Sequence, residues 1–422
     1  MQVFKFGGAS VKNAEAVRNV AHIIQNFGTP THLVVVVSAM GKTTNALEKL
    51  LNTYFAKADW QTELQNIQQY HFEISEQLFP EKHLIFTALD YLFLQLKETL
   101  LHKTQPEKYD ESYDQVICFG EIIATHIVSQ FLQEQGIENE WIDIRNFIKT
   151  DTTWREGKVD FAWTEQLLKR EILPILQEKI VVTQGFLGGT LGNKTTTLGR
   201  EGSDYTASIL AYSLEAQKVT IWKDVPGILN ADPKKVPNTQ LYETLSYTEA
   251  AEMTFYGANV IHPKTIKPLA NKNIPLYVRS FLEPHKAGTC IDGITSPQNT
   301  PTIIFKPNQV LLKFAIKDLA FITEENLSKI LHTFTQTNAK IHLLQSSAVS
   351  LWIATDFQEH KVIKIIDFLS EEFAISQTRN VQLLTILYYN EKMLQSILPK
   401  FELILEQKTQ QTYRAVIAEF SA

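Results

Sequence analysis

Short apolar runs alternate with amphipathic stretches through residues 1–282. The runs at 3–6, 33–37, 141–144, 180–183, 218–222 and 275–278 predict strands. Several are apolar on consecutive residues, as in strands buried on both faces of a parallel sheet. Between the first two, Val17, Val20, Ala21 and Ile24 recur at helical spacing, with Ser10 or Asn13 available as the cap. Strand–helix alternation of this kind predicts an α/β fold, an αβα sandwich around a mostly parallel sheet. Residues 46–106 are rich in aromatics and glutamine and predict a helical hairpin inserted over that sheet.

The pattern changes at 283–300, where Pro, Gly and Thr replace periodicity, and a linker is expected there. It separates a domain at 1–282 from a region at 301–422. In that region the elements become short: strand 309–316, helix 324–337, strands 340–345 and 349–354, helix 359–372, strand 381–388. This β-α-β-β-α-β order is a ferredoxin-like unit. A helix at 391–398 and strands at 401–406 and 413–419 read as a second, shorter copy, completed by a strand at 302–305.

Composition narrows the function. The 422 residues suffice for two or three domains. With 40 basic against 46 acidic residues, net charge −6 and no basic block, a nucleic-acid partner is not expected. Cys118 and Cys290 lie far apart and outside any CxxC spacing, so neither a disulfide framework nor a protein-held metal is expected. The N-terminus has no signal pattern, and the run 33–37 is too short to span a membrane, so a cytoplasmic protein without a membrane partner is expected.

Four stretches lie where strands hand over to loops, the place where open α/β sheets build their sites. In KFGGAS, Lys5 ends a buried strand and is costly unless an anion meets it, while Gly7 and Gly8 allow close backbone approach. A phosphate fits, and so does a plain strand, turn and helix cap. In VVVVSAMGKTTN, Ser38, Gly41, Thr43, Thr44 and Asn45 form either an anion site at a helix N-terminus or an ordinary capped helix. It is not a P-loop, whose upstream glycine is missing. In TTTLGREGSDYTAS, Gly199, Arg200, Gly202, Ser203 and Asp204 join a carboxylate-binding fork to an acid at a helix start, which favours function over a salt-bridged loop. In VTIWKDVPGILNADPKKV, turn chemistry accounts for Pro226, Gly227, Asp232 and Pro233, but not for the lysines. Glu121 suits either a first-turn dipole partner or an amine-binding carboxylate, and His262-Pro263 reads as a structural turn.

In this order the motifs KFGGAS, SAMGKTTN, FGE, TQGFLG, GREGSD, WKDVPGILNADP and YGANVIHPKT resemble the aspartokinases of the amino-acid kinase family. FTQTNAKIHLLQSSAVSLWIATD is similar to the family's first regulatory ACT domain. The resemblance implies transfer of the ATP γ-phosphoryl group, with Mg²⁺ accompanying the nucleotide, to the side-chain carboxylate of L-aspartate. The product is 4-phospho-L-aspartate, on the way to lysine, threonine and methionine. By resemblance, Lys5 and Asp204 are catalytic, and Ser38, Thr44, Glu121, Phe186, Arg200 and Ser203 hold aspartate. Gly7, Gly8, Ser10, Gly41, Lys223, Asp224, Lys234 and Asn259 serve the nucleotide. Ser346 and Ser347 are candidate contacts for a lysine or threonine effector, and a homo-oligomer through the ACT-like domains is expected.

The chain also differs from the family pattern. Ala9 stands for a usual Thr, Glu201 for a common Gly, Lys223 for a Thr, Leu229 for an aromatic, Lys234 for an Arg and Asn259 for a Lys. Lys223 is read as restoring the positive charge lost at Asn259. The loop 317–324 lacks the glycine usual between the first ACT strand and helix. Acetylglutamate, glutamate and uridylate kinases share the Lys-Phe-Gly-Gly idea but lack the paired tail. A non-catalytic amino-acid sensor would be expected to have lost at least one of Lys5, Glu121, Arg200 and Asp204. A dehydrogenase would need a GxGxxG, which is absent.

Overall fold

The computed structural model describes residues 1–258, 261–296, 299–317 and 321–420, and the chain divides into two compact units. The first comprises Met1–Ile228, Leu241–Ala251 and Val260–Ser296. Its strands are β1 (Gln2–Phe6), β2 (Leu33–Val37), β3 (Asn139–Ile142), β4 (Ile180–Gln184), β5 (Leu187–Gly189), β6 (Thr195–Thr197), β7 (Lys218–Lys223), β8 (Thr244–Ser246), β9 (Leu276–Ser280) and β10 (Thr289–Asp292). Eight of them form one sheet in the order β3-β4-β2-β1-β7-β9-β10-β8, with β5 and β6 a separate hairpin. Every pairing from β3 to β9 is parallel, and β10 runs antiparallel to β9. Helices cover both faces, which is why all five residues of β2, LVVVV, are fully buried.

Among the described residues, ten helices accompany these strands: α1 (Ala14–Phe27), α2 (Thr43–Phe55), α3 (Trp60–Leu78), α4 (Leu84–Lys103), α5 (Tyr109–Ile117), α6 (Phe119–Glu134), α7 (Phe161–Glu178), α8 (Gly202–Ser213), α9 (Tyr247–Phe255) and α10 (Pro263–Asn271). Asn13 caps α1, its side chain accepting the Ala16 N–H at 2.9 Å. His262 caps α10 through the Lys264 N–H at 3.2 Å, with Pro263 at the first helical position. The helical run Pro106–Glu134 is long and apolar enough to cross a membrane, but most of it is buried inside the protein, the mark of a core helix.

Three expectations shift. The strand expected at 141–144 runs over Asn139–Ile142, because Asp143 ends it by accepting the Arg145 N–H at 3.1 Å and starting a 3₁₀ turn. The stretch 46–106 holds three helices, not a hairpin. Asp59 starts α3 by accepting both the N–H and the hydroxyl of Thr62, at 3.2 and 2.6 Å. The stretch 283–300 contains β10, anchored where Thr289 Oγ1 donates to the Tyr242 carbonyl at 2.6 Å. Four residues between Gly288 and Gly293 leave too little period to read.

The second unit comprises Leu229–Gln240, Glu252–Asn259 and Pro297–Ala422. Its elements are β11 (Thr302–Ile316), α11 (Glu324–Gln336), β12 (Ile341–Ser346), β13 (Ser350–Asp356), α12 (Glu359–Leu369), β14 (Phe373–Leu387), α13 (Glu391–Ile397), β15 (Glu402–Lys408) and β16 (Thr412–Ala418). They form one antiparallel sheet, β12-β13-β11-β14-β16-β15. The runs expected at 302–305 and 309–316 are a single strand, bent at an irregularity between Lys306 and Gln309, where Asn308 takes φ 55°.

The first half of β11 pairs with the second half of β14, Thr302 opposite Leu387, and so supplies the edge strand of a second, shorter copy. Phe314, Phe334, Leu351, Ile353, Ile365 and Phe373 form the core of the first copy. Ile303, Leu384, Ile386, Leu394 and Tyr413 form that of the second, to which the segment 229–240 adds Ala231 and Val236. A cavity of about 510 Å³ lies between this segment, α13 and the strands, and none of the residues singled out from sequence lines it.

Candidate active site

The register of the parallel sheet sets the site. Phe6 pairs with Val37 of β2 and with Trp222 of β7, so β1 and β2 end level and β7 runs one residue further. Lys5, one residue short of the end of β1, is only 6% exposed. Its Nζ lies 2.5 Å from Oδ1 of Asp204, the third residue of α8, which is fully buried. The last residue of β7, Lys223, places its Nζ 3.1 Å from Asp204 Oδ2 and 3.7 Å from Glu201 Oε2. One carboxylate thus holds an ammonium group on each oxygen. Burial alone would raise the Asp204 carboxyl, but the two lysines outweigh it and hold it down at about 2. Burial likewise pushes Lys223 down, and Asp204 and Glu201 reverse this and raise it.

The loops after β1 and β2 meet backbone to backbone. The Gly41 N–H donates to the Gly8 carbonyl at 3.0 Å, and a Cβ on Gly8 would stand 2.8 Å from the Ala39 oxygen. Gly41 takes φ +56°, where a side chain is strained. Gly7 continues β1 in extended conformation beside the Lys5 ammonium. Ser10 Oγ donates to the Trp222 carbonyl at 3.4 Å, tying this loop to β7.

Glu121, in the first turn of α6, is fully enclosed. Its Oε1 accepts the Ala39 N–H at 3.3 Å, and Oε2 has no hydrogen-bond partner among the described residues. Burial, only partly offset by the Ala39 N–H, pushes this carboxyl up to about 8. A buried carboxyl with one oxygen unsatisfied suits a cationic ligand.

Phe186 follows β4 at φ 72° and donates its N–H to Thr206 Oγ1 at 2.9 Å. Ser203 packs so closely on Gly185 that a Cβ there would lie 2.5 Å away. The Ser38 N–H donates to the Phe6 carbonyl at 3.1 Å, and Thr44 occupies the first turn of α2. Arg200 and Asp224 are exposed, beside α8 and just past β7.

Sequence reasoning therefore chose residues that do converge: Lys5, Asp204, Lys223, the three glycines and Ser10, with Glu121 joined through Ala39. Lys234 lies in the second unit, its N–H bonded to Asp232 Oδ1 at 2.9 Å, and Asn259 lies outside the described residues. Ser346 and Ser347 lie at the β12–β13 hairpin, and Ser347 Oγ accepts the Ser350 N–H at 3.1 Å, so its hydroxyl already closes the turn. Part of the loop 317–324 is likewise outside the described residues. Sequence reasoning missed Glu201 as a partner of Lys223. Its signal was an acidic residue in place of a common glycine.

Residues 1–280 match the model of the amino acid kinase family. Lysine-sensitive aspartokinase 3 of Escherichia coli (strain K12) is 33% identical over 364 residues, which cover 84% of this chain and 78% of that protein. The chain belongs to the amino acid kinase family. Within it, the chain falls among the aspartokinases. A crystal structure of E. coli aspartokinase III in complex with aspartate and ADP, in the R-state, aligns at TM-score 0.85 and 26% identity, covering 99% of this chain and 96% of that one. Its T-state complex with lysine and aspartate aligns at TM-score 0.78 with the same identity and coverage. The fold is thus the amino-acid kinase α/β sandwich with C-terminal antiparallel domains like the aspartokinase ACT domains.

Proposed function

We infer that this chain is an aspartate kinase, transferring the γ-phosphoryl group of ATP to the side-chain carboxylate of L-aspartate in amino-acid biosynthesis. The observation that carries the reading is the buried Lys5–Asp204–Lys223 cluster at the ends of β1 and β7, beside the Gly7, Gly8 and Gly41 backbones. A carboxylate oxygen of aspartate attacks the γ-phosphorus. The bond from that phosphorus to the bridging oxygen breaks, and ADP leaves with its electron pair, so no proton has to move. The protein's work is then positioning and neutralising charge.

Lys5 faces the phosphoryl oxygens and Asp204 fixes its ammonium. The amides of Gly7, Gly8 and Gly41 and the hydroxyl of Ser10 line the phosphate side, with Lys223 and Asp224 on the nucleotide. Arg200 pairs with the α-carboxylate of aspartate and Glu121 with its amine, while Ser38, Thr44, Phe186 and Ser203 close the pocket. Among the described residues no cluster of three acids, histidines or cysteines could hold a metal, and Asp204 is committed to two lysines. Mg²⁺ would arrive on the ATP phosphates, as is usual for this ion.

The tandem ACT-like region at 301–422 is the place for feedback by lysine, the ligand named for the E. coli T-state, or threonine, with Ser346 and Ser347 as candidate contacts. Pairing of chains through these domains and a cytoplasmic location complete the reading. Trapping with hydroxylamine tests it: ATP, Mg²⁺ and L-aspartate should give aspartyl hydroxamate, while acetylglutamate, glutamate and UMP should give no product. Acyl phosphate or UDP formed from one of these three, but not from aspartate, would replace the reading.

A further inference from the structure

Glu201, just before α8, lies 3.7 Å from Lys223 at the end of β7. Glu201 also holds φ 55° and ψ 27°, the left-handed conformation that a glycine adopts freely and a glutamate only under strain. Strain kept beside a buried charge points to a task for that charge.

The charge count says which task. Asp204 is fully buried and carries one negative charge, yet two ammonium groups lie on its oxygens. Glu201 supplies a second negative charge, so two carboxylates face two lysines in a nearly closed site, where the Lys223 side chain is only 16% exposed. Glu201, a third exposed and at the longer distance, is the weaker of the two acidic holds. A base or a ribose has no charge to draw the ammonium group off Glu201. A phosphoryl group in flight, with charge spread over three oxygens, does.

We propose that Lys223 is a catalytic residue that faces the transferring phosphoryl group alongside Lys5, and that Glu201 is a positioning residue that holds its ammonium group until the phosphate arrives. This rests on the aspartate-kinase reading and moves Lys223 from general nucleotide binding to the reacting group itself. Asp204 then serves both lysines, one from each of two neighbouring parallel strands.

The test measures aspartyl hydroxamate rates, calorimetric MgATP binding and melting temperature for Lys223→Met, Lys223→Arg and Glu201→Gly beside the unaltered chain. Loss of one preorganised cation should lower kcat by about 100-fold. The KM for aspartate should stay within about threefold, because that ligand's ground-state contacts lie elsewhere. Lys223→Arg, which keeps the charge, should recover at least about a tenth of the rate. Glu201→Gly should melt higher, its strain relieved, yet turn over more slowly with MgATP. A folded Lys223→Met with kcat within about twofold of the unaltered chain would overturn the proposal, as would a rate loss matched by the unfolded fraction. If the unaltered chain makes no hydroxamate, the aspartate reading fails. The lysine's role still stands if Lys223→Met weakens MgATP binding about tenfold, and falls if that binding is unchanged.

Discussion

Asp204 and Asp356, one in each unit of the chain, are both carboxylates held by two basic side chains. Asp204 lies fully buried with Lys5 at 2.5 Å and Lys223 at 3.1 Å. Asp356, about a third exposed, lies 2.9 Å from His342 and 3.4 Å from Lys306, and also accepts from Gln309 Nε2 at 2.9 Å. Burial would raise Asp356 too, and here the His342 and Gln309 hydrogen bonds lead in holding it well below the usual carboxylate range.

The difference lies in the surroundings. Asp356 joins β13 to β11 and β12 across an antiparallel sheet, and its neighbours satisfy it. Asp204 sits where parallel strands run out into glycine loops, and one of its lysines is held on its other side only by the distant Glu201. The first cluster staples a sheet, and the second is poised for an anion. Two carboxylates of like local chemistry thus take different work, one facing the ends of parallel strands from a helix start and the other lying within an antiparallel sheet.

The sharpest break in this comparison is Lys5→Met. It should lower kcat by about 10³-fold or more at unchanged fold, as expected where a cation balances transferring phosphoryl charge, measured by hydroxamate formation and circular dichroism. Next is Glu121→Gln, which should raise the KM for aspartate by about 100-fold by removing the charge that meets its amine. In the unaltered chain that KM should fall as pH rises from 6 to 8 and then level off, because the carboxyl loses its proton near 8. The same carboxyl binds its proton more tightly folded than unfolded, so stability without aspartate should decline from about pH 4.5 towards 8. Thermal melts across that range should show a flatter profile for Glu121→Gln.

Asp356→Asn tests the other side. It should cost about 1–2 kcal/mol in denaturant unfolding, discounted for its exposure, and leave kcat without effector within about twofold. A large loss of kcat there would erase the contrast. Smallest is Ser347→Ala, expected at under about 1 kcal/mol, because its hydroxyl only closes a hairpin. If this change abolished a lysine or threonine response instead, the serine would be an effector contact.

Much of this was legible in the chain. The strands with consecutive apolar residues announced a parallel sheet, and β2 at 33–37 was placed to the residue. Lys5, Asp204 and Glu121 were readable because a charged residue at a buried strand end or helix start needs a reason. What stayed hidden depends on distance in sequence. The Lys223–Glu201 contact joins a strand end to a helix start 22 residues earlier, and the left-handed backbone at Glu201 leaves no period to detect. The fusion of two expected strands into β11 turned on one irregularity at Pro307 and Asn308, which read as a break. β10 was missed because its order comes from its neighbours in the sheet and not from its own four residues.

In the proposed mechanism, catalysis turns on the buried carboxylate of Asp204. Asp204→Asn, purified and shown to melt cooperatively, should form aspartyl hydroxamate at about a thousandth of the unaltered rate per folded molecule, since both lysines lose their common anchor. A folded Asp204→Asn within about tenfold of the unaltered rate would contradict it.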